Sequence, residues 1–517
     1  MDDNDTGAAT AASTIAELLR SQAHATPEAQ AILALDRTPL NYDGLAALVT
    51  ATVATLRAEG IGRGDRVGLV LPNGPCAATA FLTIAAGATA APLNPNYRAE
   101  EFDFYLSDLN AKALVVEAGR ESPAIEVARG RGIAILELHA DADAPAGVFR
   151  LGDDKAATDA EPDFAGPDDV ALVLHTSGTT SRPKIVPLSH ANVCASARHI
   201  AATLRLTPGD LCLNVMPLFH IHGLMAATMA SLTAGASVAC SPGFDAMRIF
   251  SWFDHFKPTW YTAVPTMHQA ILARAPRNKE IIEKMRLRLI RSSSSALPPQ
   301  VMAELEEVFG APVIESYGMT EASHQMASNP LPPAARKPGS VGIAAGPKVA
   351  IMDDQGNLRA NGETAEIVIQ GPNVTGGYEN NPKANAENFT NGWFRTGDQG
   401  YLDSEGYLYV TGRLKEIINR GGEKISPREV DEILMDHPAV QQAVTFAMPH
   451  DKLGEEVAAA IVPREGASVT DREIREFASQ RLADFKVPRK VLIVQEIPKG
   501  PTGKLQRIGL AKQLGLG

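Results

Sequence analysis

The chain has 517 residues, 45% of them hydrophobic and 21% charged, an ordinary globular composition with room for roughly two to four domains. Its net charge of −12 at pH 7 argues against nucleic acid or an anionic membrane as a partner. Cys76, Cys194, Cys212 and Cys240 stand far apart with no C-x-x-C pair, which excludes a disulfide framework and a zinc ribbon and fits a reducing compartment.

The first residues are acidic where secretory and mitochondrial signals are basic, so a cytoplasmic location is expected. Residues 1–12 read as a tail, and residues 13–23 as a helix with a capping-box start. Short β-branched runs beginning at Asp65, Ala113 and Ile133 alternate with alanine-rich stretches, the pattern of a parallel sheet with helices on its faces. Two apolar stretches, residues 77–92 and 223–240, are too short or too weakly hydrophobic to span a membrane and read as buried helices. Residues 140–168, rich in Ala and Asp, read as a loop.

Residues 170–174 read as a buried strand, and the loop that follows it carries Thr176, Ser177, Gly178, Thr179, Thr180 and Lys184. Backbone N–H groups freed by glycine, four hydroxyls and an ammonium at the C-terminal end of a sheet strand suit phosphate oxygens, although the spacing is not that of the Walker loop. Further on, Pro217-Leu-Phe-His220-Ile-His222 follows a second apolar run; zinc would need more ligands than this pair offers. A strand read at residues 287–290 leads into Arg291-Ser-Ser-Ser-Ser295, and another ends in Glu315-Ser-Tyr317-Gly-Met-Thr320-Glu321-Ala-Ser-His324. Asp398 lies in a Thr-Gly-Asp turn fifteen residues before Arg413, and the last hundred residues contain Gly421-Gly422 and Lys504 within Pro/Gly/Lys-rich segments.

In this order the motifs resemble those of the adenylate-forming superfamily of acyl-CoA synthetases, peptide-synthetase adenylation domains and beetle luciferases, and the resemblance covers nearly the whole chain. It implies an α/β architecture: a large N-terminal domain, residues 1–412, with parallel-rich sheets covered by helices, and a small mobile α+β domain, residues 413–517, turning about a hinge near Lys415. It further implies ATP, Mg²⁺ and coenzyme A as ligands, with no obligate protein partner. Thr176–Thr180 and Lys184 would hold phosphates; Ser295, Glu315, Ser316, Tyr317 and Gly318 would line the nucleotide site; Thr320 would contact the α-phosphate and Glu321 the magnesium. Asp398 and Arg413 would take the ribose, Lys504 would bind the acid and the α-phosphate, and Gly421 and Gly422 would approach the thiol.

The chain departs from common family patterns at Ser181 and Ile185, at residues 292–296, and at Asn419 and Gly421, where coumarate ligases carry lysines. Its loop, its Pro-Leu-Phe-His-Ile-His-Gly segment and its Met-Thr-Glu-Ala-Ser-His segment most resemble the oxalate–CoA ligase branch. That resemblance implies oxalate, ATP and CoA as substrates, with His220, Ser294 and His324 clamping the acid. Malonate or another short acid, and loading of a separate carrier protein, are the alternatives; the chemistry is that of an acid–thiol ligase.

Overall fold

A computed structural model describes residues 12–152, 161–176, 183–498 and 506–516. Two parallel-rich sheets form the larger part. The seven-stranded sheet orders Arg150–Leu151, Ala134–His139, Ala113–Glu117, Arg66–Val70, Thr89–Pro92, Val170–Thr176 and Lys184–Ser189. Its inner pairs are parallel, and the two edge strands turn antiparallel. The nine-stranded sheet runs from Ile343–Ala344 through His324–Ser328, Val313–Met319, Leu289–Ser292, Trp260–Ala263, Leu211–Asn214 and Ser237–Cys240 to Gln30–Leu33 and Leu40–Asn41.

One continuous core joins these sheets: Leu69, Ala90 and Leu172 of the first and Ile32, Val238 and Cys240 of the second pack into the same cluster, with helical side chains such as Phe81, Leu82, Leu224 and Met225 between them. Helices held between two sheets must be apolar all round. This is why helix Pro75–Ala85 is buried from Ala77 to Ala85 and His222–Met229 is buried along its whole length.

The same all-round hydrophobicity explains a difference from the sequence reading. Residues 77–92 and 223–240 are not single helices; each is a helix followed by a buried strand, Thr89–Pro92 in one case and Ser237–Cys240 in the other. A uniformly apolar run carries no period that separates the two states, and the breaks come at glycines: Gly87, packed against Val53, and Gly235 with φ +72°. Likewise the first helix is Ile15–Ala25, capped by Thr14 with Glu17 closing the box, and the strand before the serine run is Leu289–Ser292, reaching into the serines.

A five-stranded antiparallel sheet follows, ending with Trp393–Leu402 against Leu408–Arg413. The C-terminal portion has its own sheet, in which Val440–His450 and Gly454–Pro463 form a long antiparallel pair and Lys490–Ile493 adds in parallel. Helices Pro427–Met435 and Asp471–Ser479 contribute to its separate core through Val430, Leu434, Ile474 and Ala478. Among the described residues no helix is long and apolar enough to cross a membrane.

The segment His222–Met229 is π-helical, a rare geometry that tends to mark functional sites. It passes so close to the preceding loop that a Cβ on Gly223 would stand 2.4 Å from the Pro217 carbonyl oxygen. In an ordinary helix Gly→Ala is favourable by roughly 0.5–1 kcal/mol. Here we expect Gly223→Ala to destabilise by about 1–3 kcal/mol, as overpacking does; a denaturant midpoint equal to or above that of the parent chain would contradict this packing.

Candidate active site

The C-terminal ends of parallel strands, where ligands bind in open α/β sheets, carry most of the residues singled out by sequence. Ser177, Gly178, Thr179 and Thr180 lie outside the described residues, as does Lys504. The feet of the phosphate loop are described: Thr176 and Lys184 stand opposite each other in an antiparallel ladder. Lys184 Nζ sits 4.3 Å from the centre of the Tyr378 ring, and the Tyr378 hydroxyl donates to Glu321 Oε1 at 2.8 Å.

Burial pulls the Lys184 pKa down, opposed by Glu321 and reinforced by Lys415; burial pushes Glu321 up. Two opposite charges distant in sequence, Lys184 and Glu321, thus meet at one tyrosine. Tyr378 was not singled out by sequence, where the only signal was an aromatic residue following two glycines. Among the described residues no cluster of three or more His, Cys, Asp or Glu stands ready to hold a metal alone. A single desolvated carboxylate beside a phosphate loop does fit Mg²⁺, which takes one or two carboxylates and completes its shell with phosphate oxygens and water.

Asp398 and Arg413 are directly paired across adjacent antiparallel strands, with Arg413 Nε 3.0 Å from Asp398 Oδ1. The Tyr317 hydroxyl donates to the other oxygen of Asp398. Burial and then the Asp398 charge push the Tyr317 phenol well above its usual value, so it stays a donor. Next along, Gly318 is obligatory, because a Cβ there would fall 1.8 Å from the His324 carbonyl oxygen. A single 3-10 turn, Thr320–Ala322, then returns the chain toward His324.

Glu315 and Ser316 face inward, bracing this framework. Ser316 Oγ lies 2.9 Å from Ser328 Oγ. Leu297 N–H donates to Glu315 Oε1 at 2.9 Å, tying down the loop that presents Ser294 and Ser295. Ser294 in that loop has φ +72°, and His324, at the start of strand His324–Ser328, has φ +100°, positive values that cost a non-glycine residue backbone strain.

Ser294 and His324, two of the three residues expected to clamp the acid, lie in one buried cluster together with His222. The residue bonded to Ser294 is His222, with Nδ1 3.0 Å from Ser294 Oγ and Nε2 2.6 Å from Thr262 Oγ1. The His324 ring stands edge-on to His222 at 5.0 Å, and both histidines are only 2% exposed. His220 lies half-buried two residues earlier, its ring 5.2 Å from that of Phe219. Arg291 reaches the same cluster, Nη1 lying 3.5 Å from His222 Nε2; the sequence marked it only as the start of the serine run. Gly421 and Gly422, with φ +61° and +105°, form the tight turn between Ile418–Arg420 and Glu423–Ile425 of the C-terminal sheet.

Charged groups at one set of strand ends and buried hydroxyl and imidazole groups on the neighbouring loops thus stand close together in the fold. The family model for AMP-binding enzymes matches residues 19–379, and that for the AMP-binding enzyme C-terminal domain matches residues 429–504; the chain belongs to the AMP-binding enzyme family. It is 45% identical to an oxalate–CoA ligase of Arabidopsis thaliana, covering 96% of this chain and 97% of that one. It is 44% identical to an oxalate–CoA ligase of Saccharomyces cerevisiae, covering 87% of each chain. The crystal structure of ATP-bound MatB from Rhodopseudomonas palustris superposes with a TM-score of 0.87 at 29% identity, covering 97% of this chain and 98% of that one.

Glu315 supplies a test of the framework. Burial, the largest influence, pushes its carboxyl from 4.5 up to about 7; Arg428 opposes this and Glu432 adds to it. The folded chain therefore holds a proton that the unfolded chain has already lost, and this contribution to stability falls as pH rises from 4.5 to 7, by up to roughly 3 kcal/mol. Glu315→Gln keeps an acceptor for Leu297 N–H and removes the titration. Its Tm relative to wild type should therefore climb between pH 5 and pH 8; a constant difference would show that the carboxyl is not held neutral.

Proposed function

We propose that the enzyme joins oxalate to coenzyme A with ATP, releasing diphosphate and AMP through an oxalyl-adenylate. A carboxylate is a poor acyl donor because thiol attack would have to expel oxide. One oxalate oxygen attacks the α-phosphorus of ATP and diphosphate leaves; CoA thiol then attacks the activated carbonyl carbon and AMP leaves. Two anions must be brought together in the first step, a task for fixed cations and hydrogen-bond donors.

In this reading Thr176, the loop from Ser177 to Thr180, Lys184 and Thr320 hold the phosphates, and Glu321 provides the protein ligand of Mg²⁺, which would neutralise phosphate charge. Asp398, oriented by Arg413 and Tyr317, accepts from the ribose hydroxyls. Lys504 is directed at the acid and the α-phosphate. Residues 413–517 form the mobile domain, pivoting near Lys415 to exchange Lys504 for the Gly421–Gly422 turn when thiol attack follows.

The observation that carries the choice of acid is the buried Ser294–His222–His324 cluster. An aliphatic acid would gain nothing from a hydroxyl and imidazoles, whereas the second carboxylate of oxalate needs donors, since an unpaired buried carboxylate costs several kcal/mol. The two relatives named oxalate–CoA ligase support the same reading.

Diphosphate release measured with oxalate, malonate, sulfoacetate, acetate and octanoate should give the highest kcat/KM for oxalate. Ser294→Ala and His324→Ala should each lower that value on the order of 10²-fold with ATP binding little changed. Preference for acetate or octanoate would refute the dicarboxylate reading. In the separated half-reactions, Lys504→Ala should slow adenylate formation roughly 10²–10³-fold while sparing thioester formation from supplied acyl-adenylate; equal damage to both would remove its assigned role.

A further inference from the structure

Arg291 is fully buried. It occupies the third position of strand Leu289–Ser292, between Thr262 and Ile314 in register, on the face shared with Leu289 two residues back. Among the described residues no carboxylate lies against it: it meets His222 and Gln325 as hydrogen-bond partners and the neutral thiol of Cys212, and its Nε has no hydrogen-bond partner. Burial pulls its pKa down to about 9, which still leaves it charged at neutral pH. A guanidinium kept in the interior without a counter-ion is costly, and it stands one imidazole away from the acid pocket.

The imidazole between them has a defined task. His222 Nε2 faces Thr262 Oγ1 at 2.6 Å and Arg291 Nη1 at 3.5 Å, while Nδ1 faces Ser294 Oγ at 3.0 Å. A guanidinium only donates, so Nε2 accepts and the ring proton resides on Nδ1, an assignment that follows from the network. Nδ1–H then donates to Ser294 Oγ, and the Ser294 hydrogen is turned away from His222 as a donor to substrate. Without the cation, Thr262 could accept from Nε2–H and Ser294 would spend its hydrogen on Nδ1.

We propose that Arg291 is a positioning and specificity-determining residue of the acid pocket: through His222 it fixes Ser294 as a donor, and its charge favours a dianionic two-carbon acid over a monoanionic one of the same shape. This rests on the oxalate reading above. The guanidinium does not touch the substrate; it answers the second negative charge across the ring.

The test compares oxalate with oxamate, which replaces one carboxylate by an uncharged amide of nearly the same shape, in wild-type enzyme, Arg291→Gln and Arg291→Lys. Arg291→Gln should lower the oxalate-to-oxamate ratio of kcat/KM on the order of 10²-fold, chiefly through KM for oxalate, with KM for ATP unchanged. Arg291→Lys should recover most of that ratio. A folded Arg291→Gln enzyme whose ratio stays within about threefold of wild type overturns the proposal, as does a rise in the KM for ATP equal to that for oxalate, which would mark a general structural role. Should Arg291→Gln fail to fold, His222→Phe interrupts the same relay, and an unchanged ratio there overturns the proposal equally. Failure of the underlying oxalate reading is told apart because it appears in the wild-type enzyme, as a preference for acetate over oxalate, and it removes this proposal too.

Discussion

The interior of this enzyme must hold charge out of water. Transfer of an ion into a protein core costs several kcal/mol even after relaxation, so each buried charge has to be answered by another charge, a hydrogen bond or a ligand. Asp398 is answered twice, by Arg413 and Tyr317. Glu321 is answered by Tyr378 and lies within reach of Lys184. Glu315 is answered by a backbone N–H and by protonation. Arg291 alone of these groups meets no oppositely charged side chain among the described residues.

That ordering gives the site its form. Asp398 and Glu321 are paired within the fold itself, by Arg413, Tyr317 and Tyr378, an arrangement of fixed groups that needs no reorganisation. The Ser294–His222–His324 cluster is built from a hydroxyl and imidazoles whose donor and acceptor roles depend on one proton, backed by strained backbone at Ser294 and His324. Rigid framework and adjustable pocket meet at the turn after Val313–Met319, where Gly318 passes under the His324 carbonyl with no room for a side chain.

Much of this was legible in the sequence, because phosphate chemistry uses few residue types in fixed local order. The loop feet Thr176 and Lys184, the Tyr317–Glu321 motif and the Asp398–Arg413 pair are local signals; the first two fall at or just past strand ends, whereas Asp398 lies inside strand Trp393–Leu402 opposite Arg413. The parallel sheets followed from alternating apolar runs, but the segments that lie between sheets lost their period and hid a strand after each helix. The acid pocket was half legible. Ser294 and His324 stood in motifs, whereas the partnership of His222 with Thr262 and Arg291 is made by register between strands far apart in sequence. Tyr378 lay hidden for the same reason, its role depending on a contact with Glu321 made only by folding.

The ladder that pairs Asp398 with Arg413 continues one step further, where Leu414 N–H donates to the Gly397 carbonyl at 2.9 Å. Arg413 is therefore held by its ion pair and by backbone on both sides, since the N–H groups of Glu416 and Ile417 donate to its carbonyl at 2.9 and 3.1 Å. The Asp398–Arg413 pair is thus set into the ladder itself, so its spacing follows the sheet rather than the chain that continues past it, as a post holds its place whatever hangs on it.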